Sequence, residues 1–232
     1  ALTLNTDQLN NLRSGELLSG KGLSLDLDRL QNDGLLHVGG TFDLKARELT
    51  NGGSLQAGRL VLDIDGTLSN NAGAELLATE DATLKAKQLD NAGTLAATSL
   101  DLSGDTLTNS GTLQGDNALS ATAGDITNQA DGKIVSGGKM TVAGGDVSND
   151  GQWQAQQLEL NADSLTNRGD INGIAGVAGT LTGMLENSGS LRGQGTTHLQ
   201  ADSMLNSGRL LADNLTLEAR RLDNRGLLRS EE

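Results

Sequence analysis

Residues 107–113 read LTNSGTL, with Leu107, Asn109, Gly111 and Leu113 on every second position. In an extended backbone that spacing sends all four to one face, and the intervening Thr108, Ser110 and Thr112 to water. Asn and Gly are both disfavoured inside strands, so the pair within the inward row marks a corner where the chain bends. The stretch reads as strand, corner, strand.

The pattern recurs in register along the whole chain. An asparagine with an apolar residue two positions before it stands at Asn11, Asn32, Asn51, Asn70, Asn91, Asn109, Asn128, Asn149, Asn167, Asn187, Asn206 and Asn224, at intervals of 18–21 residues. The three longest intervals abut longer corners: NLRSG at 11–15, NNAG at 70–73 and NQADG at 128–132. Elsewhere a glycine follows two positions later, as at Gly34, Gly53, Gly93, Gly151 and Gly189. Two residues beyond the glycine a second inward apolar position begins the next strand, for example Leu36, Leu55, Leu95, Trp153, Ile171 and Leu210. Later in most repeats comes an alternating apolar pair: Leu25 and Leu27, Phe42 and Leu44, Leu60 and Leu62, Leu100 and Leu102, Met140 and Val142, Leu158 and Leu160, Leu215 and Leu217. Each repeat thus offers about three short strands, and no helical period competes.

One repeat buries too few apolar side chains to offset the entropy of ordering its backbone, so repeats must stack. If each is one turn of a coil, its strands pair in parallel with the turns on either side and equivalent leucines form continuous columns. The expected fold is all-β, a parallel β-helix or β-solenoid of about 12 turns of 18–21 residues. Residues 1–232 are read as a single rod on the order of 55 Å long at the strand spacing. The inward asparagines then have a physical task. Each amide donates to one neighbouring turn and accepts from the other, so the column satisfies itself as a ladder. Glycines at the corners are explained by positive φ or by close packing.

Composition agrees. There is one Trp, one Phe and no Tyr against 32 Gly, so a compact aromatic core is not expected. Proline is absent, which suits ladders in which every backbone N–H donates. Without cysteine there is neither a disulfide framework nor a thiolate metal site. A formal net charge of −13 argues against counterion-release binding to nucleic acid and against adsorption on anionic lipid. No apolar run approaches the length of a membrane span, and residues 1–20 lack a signal-peptide pattern. The chain opens inside a turn, at the alternating Leu2 and Leu4, and stops just after Leu227 and Leu228 without a capping helix. It is therefore read as a piece of a longer array.

Several motifs invite a chemical reading. Residues 172–183, NGIAGVAGTLTG, superficially suggest a phosphate loop, but no strand-to-helix context or basic partner accompanies them, and a thin, irregular turn is expected. Asp26 with Asp28, and Asp63 with Asp65, resemble pieces of a calcium loop, yet each alternates with Leu or Ile along a strand. His37 and His198 lack metalloprotease or triad-like spacing, Trp153 fills a slot held by Leu in other repeats, and Arg220 and Arg221 flank an inward Leu222. No catalytic, cofactor or metal residue is assigned, and no cofactor is expected.

The repeated L-x-N-x-G-x-L run, seen as LQNDGLL, LTNGGSL, LDNAGTL, LTNSGTL, LTNRGDI, LENSGSL and LDNRGLL, resembles the filamentous haemagglutinin repeats of two-partner secretion exoproteins. That family includes large adhesins and the stalks of contact-dependent growth inhibition toxins. The resemblance implies a right-handed parallel β-helix, secreted or displayed on the surface of a Gram-negative bacterium. It also implies an outer-membrane two-partner secretion transporter as partner, acting through a domain not seen in these residues. The family's secretion-domain and toxin-boundary motifs are absent here, so no residue role is carried over from them.

Three functions compete. The first is a non-enzymatic structural or adhesive shaft that projects a binding or toxin domain. The second is recognition of a host or neighbouring-cell surface receptor by one wall of the segment itself, with residues 172–183 and 128–132 as first places to look. The third is a polysaccharide-active β-helix enzyme, disfavoured because intervals of 18–21 residues leave no length for cleft-forming loops.

Overall fold

The computed structural model describes residues 4–231, so Leu2 lies outside them. Among these residues there is no helix, and strands joined by short bends account for nearly all of the chain. The chain divides into two compact units, Ala1–Asp116 and Asn117–Glu232, each a parallel β-solenoid of about six turns.

The strand Leu35–Asn51 shows how one turn is built. Its parallel pairing with Ser54–Asn70 shifts between Val38 and Thr41 and again between Ala46 and Glu48. Those two shifts and the Asn–Gly bend divide the turn into three straight segments. The three short strands expected per repeat are therefore three walls of one bent strand. In other turns the strand is interrupted once, as between Glu75–Ala78 and Asp81–Asn91. Residues 107–113 behave as read: the strand ends at Asn109, bends at Ser110 and Gly111, and resumes at Thr112. Leu107, Asn109 and Leu113 are buried, whereas Thr108, Ser110 and Thr112 are half-buried rather than freely solvated, because each lies flush in a row of the wall.

In the first unit, Leu9, Leu30, Leu49, Leu68, Leu89 and Leu107 stack as one column. Leu17, Leu36, Leu55, Leu76 and Leu95 form a second. Leu23, Phe42, Leu60, Ala82 and Leu100 form a third, beside Leu25, Leu44, Leu62, Leu84 and Leu102. The first alternating pair is thus Leu23 and Leu25, two residues earlier than the pairing of Leu25 with Leu27 read from sequence. Leu27 instead stacks on Ala46. The long corners also run one residue further than NNAG suggests. Gly15, Ala74 and Gly132 each donate a backbone N–H to the carbonyl three residues earlier, at Leu12, Asn71 and Gln129. The two extra residues are therefore spent on a β-turn. Gly73, with φ of 78°, supplies the left-handed third position that one of these turns requires.

In the second unit Ile134, Trp153, Ile171, Leu191, Leu210 and Leu228 share one column. Trp153 is 1% exposed, a wall residue of the core. The irregular turn expected at 172–183 is present. Gly179 stands where Leu160 and Leu199 stand in adjacent turns, and Leu199 reaches into the space it leaves. Gly176 at φ 146° and Gly195 at φ 129° bend neighbouring turns at the same corner. The N–H of Trp153, the side-chain oxygen of Asn172 and the hydroxyl of Thr197 are buried without a partner among the described residues, all in this region.

Most corner glycines owe their identity to close approach. None of the glycines that stand two residues after a ladder asparagine has positive φ. At Gly111 a Cβ would overlap the carbonyl oxygen of Gly93 on the adjacent turn. Of the two readings of these glycines, close packing is the one the backbone supports.

Candidate functional site: asparagine ladder and outer walls

Asn11 Nδ2 donates to Asn32 Oδ1 at 2.7 Å, and the same bond runs from Asn32 to Asn51, Asn51 to Asn70, Asn70 to Asn91 and Asn91 to Asn109 at 2.8–2.9 Å. In the second unit Asn128, Asn149, Asn167, Asn187, Asn206 and Asn224 are linked in order at 2.7–2.9 Å. A second contact from the same nitrogen reaches a backbone carbonyl of the following turn, as from Asn70 to Thr94 O and from Asn187 to Arg209 O, both at 3.1 Å. Every amide-to-amide bond in the two series runs from the earlier turn to the later one. The dipoles therefore align, and each bond polarises the next. With both N–H groups and the oxygen engaged, interior amides have nothing left to offer a ligand. Their chemistry is cohesion between turns.

Outside the core, charges are placed row by row. Asp26, Lys45, Asp63 and Lys85 occupy one outward row in register, alternating in sign, and Lys85 lies 3.5 Å from Asp63. Asp28 pairs with Arg47 at 3.3 Å. Asp26, Asp28, Asp63 and Asp65 border a surface groove together with Lys45 and Arg47, so cations already stand among these carboxylates. No group of three or more metal-ligating side chains is gathered among the described residues. Lys139 and Glu159 are in contact across adjacent turns, and the hydrogen bond and charge of Lys139 hold the Glu159 carboxyl below the usual glutamate range. These pairs are solvent-exposed and contribute little stability individually.

The remaining residues singled out in the sequence are scattered. His37 is exposed, and His198 is half-buried with Nε2 3.7 Å from Glu218. Arg220 pairs with Asp202 at 2.6 Å and Arg221 with Asp223 at 2.7 Å. Leu222 continues the inward Leu185 and Met204 column, but it is 44% exposed because no described turn covers it. One grouping escaped the sequence reading: Arg192, Arg209 and Arg229 lie on consecutive turns of one wall. Aligning the repeats on their asparagines and reading the outward positions three and five residues later would have found it.

Four overlapping matches to the family described as haemagglutinin repeat span residues 1–72, 38–107, 93–172 and 154–229. The chain belongs to this family. The haemagglutinin repeats here form part of a two-partner secretion exoprotein, a class secreted by or displayed on Gram-negative bacteria. Among curated proteins, the chain is 37% identical over 223 residues to "Deoxyribonuclease CdiA" of Dickeya dadantii, a match covering 78% of this chain and 7% of that protein. It is 34% identical to "tRNA nuclease CdiA" of Escherichia coli strain NC101, covering 90% of this chain and 6% of the relative. It is 35% identical to "16S rRNA endonuclease CdiA" of Enterobacter cloacae, covering 97% and 8%. The repeats thus span under a tenth of the length of the relatives they match. No solved structure matches the chain.

Proposed function

We infer that these haemagglutinin repeats are a non-enzymatic shaft segment, which holds a binding or toxin domain of a longer exoprotein away from the cell that displays it. One observation carries the reading. Relatives named for action on DNA, on tRNA and on 16S rRNA all share this segment at 34–37% identity over most of its length. A region common to proteins with three named substrates is not where their nuclease specificity is set. The even turn length supports the same reading, since no turn carries an insertion long enough to wall a catalytic cleft. Export through an outer-membrane transporter and contact with a target-cell receptor belong to this proposal, through parts of the protein outside these residues.

The test is a swap within the full-length parent. Residues 1–232 are replaced by the matching segment of the Enterobacter relative, and export and the contact-dependent effect on target cells are measured. A shaft tolerates the exchange. Loss of the effect with export and display intact would assign a sequence-specific role to the segment and overturn the reading.

A further inference from the structure

Five glycines fall within the strands of two adjacent turns: Gly173, Gly176 and Gly179 in Asp170–Leu181, and Gly193 and Gly195 in Ser190–Asn206. The long strands on either side, Gln152–Asn167 and Arg209–Asn224, contain none. Glycine inside a strand adds no side chain to the packing and loses the most backbone freedom on ordering. Among the described residues, Gly176 and Gly195 are the two glycines of positive φ that lie within strands. The inward columns thin at the same place. Gly173 and Gly193 stand between Ala155 and Ala212, and Gly179 takes a leucine position between Leu160 and Leu199. Thr197 brings a hydroxyl into the column of Leu158, Val177 and Leu215, and that hydroxyl is buried without a partner among the described residues. The corresponding wall of the first unit carries Leu60, Leu62 and Ile64, all buried.

The asparagine corner of the same turns shows none of this thinning. Asn149, Asn167, Asn187 and Asn206 are joined in order at 2.9, 2.8 and 2.7 Å. Leu165, Leu185 and Met204, two residues before the last three of them, are buried and in register. Each turn is thus held firmly along one part of its perimeter and weakly along another. A segment opens locally where apolar contact is sparse and buried polar groups lack partners, because it gives up least on meeting water. Trp153 is the register partner of Ile171, and its N–H is likewise buried and unpaired among the described residues, so opening at this place would supply it with water.

We propose that residues 173–181 and 193–199 form a hinge: the two segments part and admit water while the asparagine corner stays closed, so that the solenoid flexes here without losing its turn-on-turn cohesion. The proposal goes beyond the shaft reading and does not depend on it; failure of the hinge leaves the segment-swap result standing.

The experiment measures native-state hydrogen exchange of the backbone amides of the purified chain by NMR, with each rate divided by the intrinsic rate of its sequence. Amides of 173–181 and 193–199 are expected to exchange at least about tenfold faster than those of 60–64 in the first unit. Those of 185–187 and 204–206, in the same two turns but at the asparagine corner, should stay as slow as those of 165–167. Two repair variants then restore what the wall lacks. Thr197→Val keeps the shape and removes the unpaired hydroxyl. Gly179→Ala adds a methyl group whose nearest neighbour is the flexible tip of Leu199, at 2.8 Å, which can withdraw. Each should slow the fast amides by at least about threefold, whereas Thr166→Val, on the half-buried outward row, should leave them unchanged. Circular dichroism checks that each variant keeps the fold, and either repair variant carries the test if the other unfolds. Protection that is uniform around these turns, equal loss of protection at 185–187, or repair variants that leave the exchange unchanged would overturn the proposal.

Discussion

Asn149 donates through Nδ2 to Asn167 Oδ1 at 2.9 Å, and both side chains are fully buried. Each is at once donor to the next turn and acceptor from the previous one, so removing either strands groups on two neighbours. Asn149→Ala is expected to cost about 1–3 kcal/mol, because the amide of Asn128 loses its acceptor and Asn167 its donor in a site closed to water. Ser148→Ala, on the half-buried outward row beside it, should change stability by less than about 0.5 kcal/mol. Urea unfolding of the two variants checks this, and equal losses would contradict the assigned facing.

The leucine columns predict a second contrast. Leu60 is fully buried between Phe42 and Ala82, whereas Leu12 is 66% exposed on the β-turn of a long corner. Leu60→Ala should cost about 2–5 kcal/mol, and Leu12→Ala no more than about 0.5 kcal/mol. Thermal unfolding of each variant is the measurement.

At Gly111 a Cβ would overlap the backbone of the adjacent turn, at Gly93 and Ala92, which cannot move aside without shifting the ladder. Gly20 has nothing within 4 Å of the position its Cβ would take. Gly111→Ala is therefore expected to destabilise by about 1–3 kcal/mol, and Gly20→Ala to be neutral or slightly stabilising. Midpoints of denaturant unfolding distinguish the two.

The Lys139–Glu159 contact sets a pH expectation. The Glu159 carboxyl is lowered by its hydrogen bond and charge interaction with Lys139. A depressed acid contributes stability above its unfolded value, about 4.3 for glutamate, and loses it as pH falls through the folded value. Carboxyl NMR titration should give Glu159 a midpoint below that ordinary value, returning to it in Lys139→Met.

How much of this was legible in the sequence differs by feature. The turn count, the parallel stacking and the inward facing of Leu107 and Trp153 followed from a two-residue alternation interrupted by Asn and Gly at fixed intervals. The first apolar pair was misplaced by two residues because Leu23, Leu25 and Leu27 all alternate correctly, and only contact with Phe42 and Leu44 selects the register. Ala74 was missed as a corner residue because a β-turn lets it stand where most turns carry glycine. The arginine wall was hidden for another reason. Arg192, Arg209 and Arg229 are spread over 38 residues of sequence, and only the coil sets them side by side.

The stacking itself is open to a direct test, since the chain has no cysteine to interfere. Thr50 and Ser69 are register partners on adjacent turns, and Ser69 is in turn the partner of Asp90. Neighbouring strands about 4.8 Å apart lie within disulfide range, whereas residues two turns apart lie beyond the ~7 Å limit. Thr50→Cys with Ser69→Cys should cross-link on mild oxidation of the folded chain, and Thr50→Cys with Asp90→Cys should not. Cross-linking of the second pair but not the first would contradict the turn-on-turn register on which the account rests.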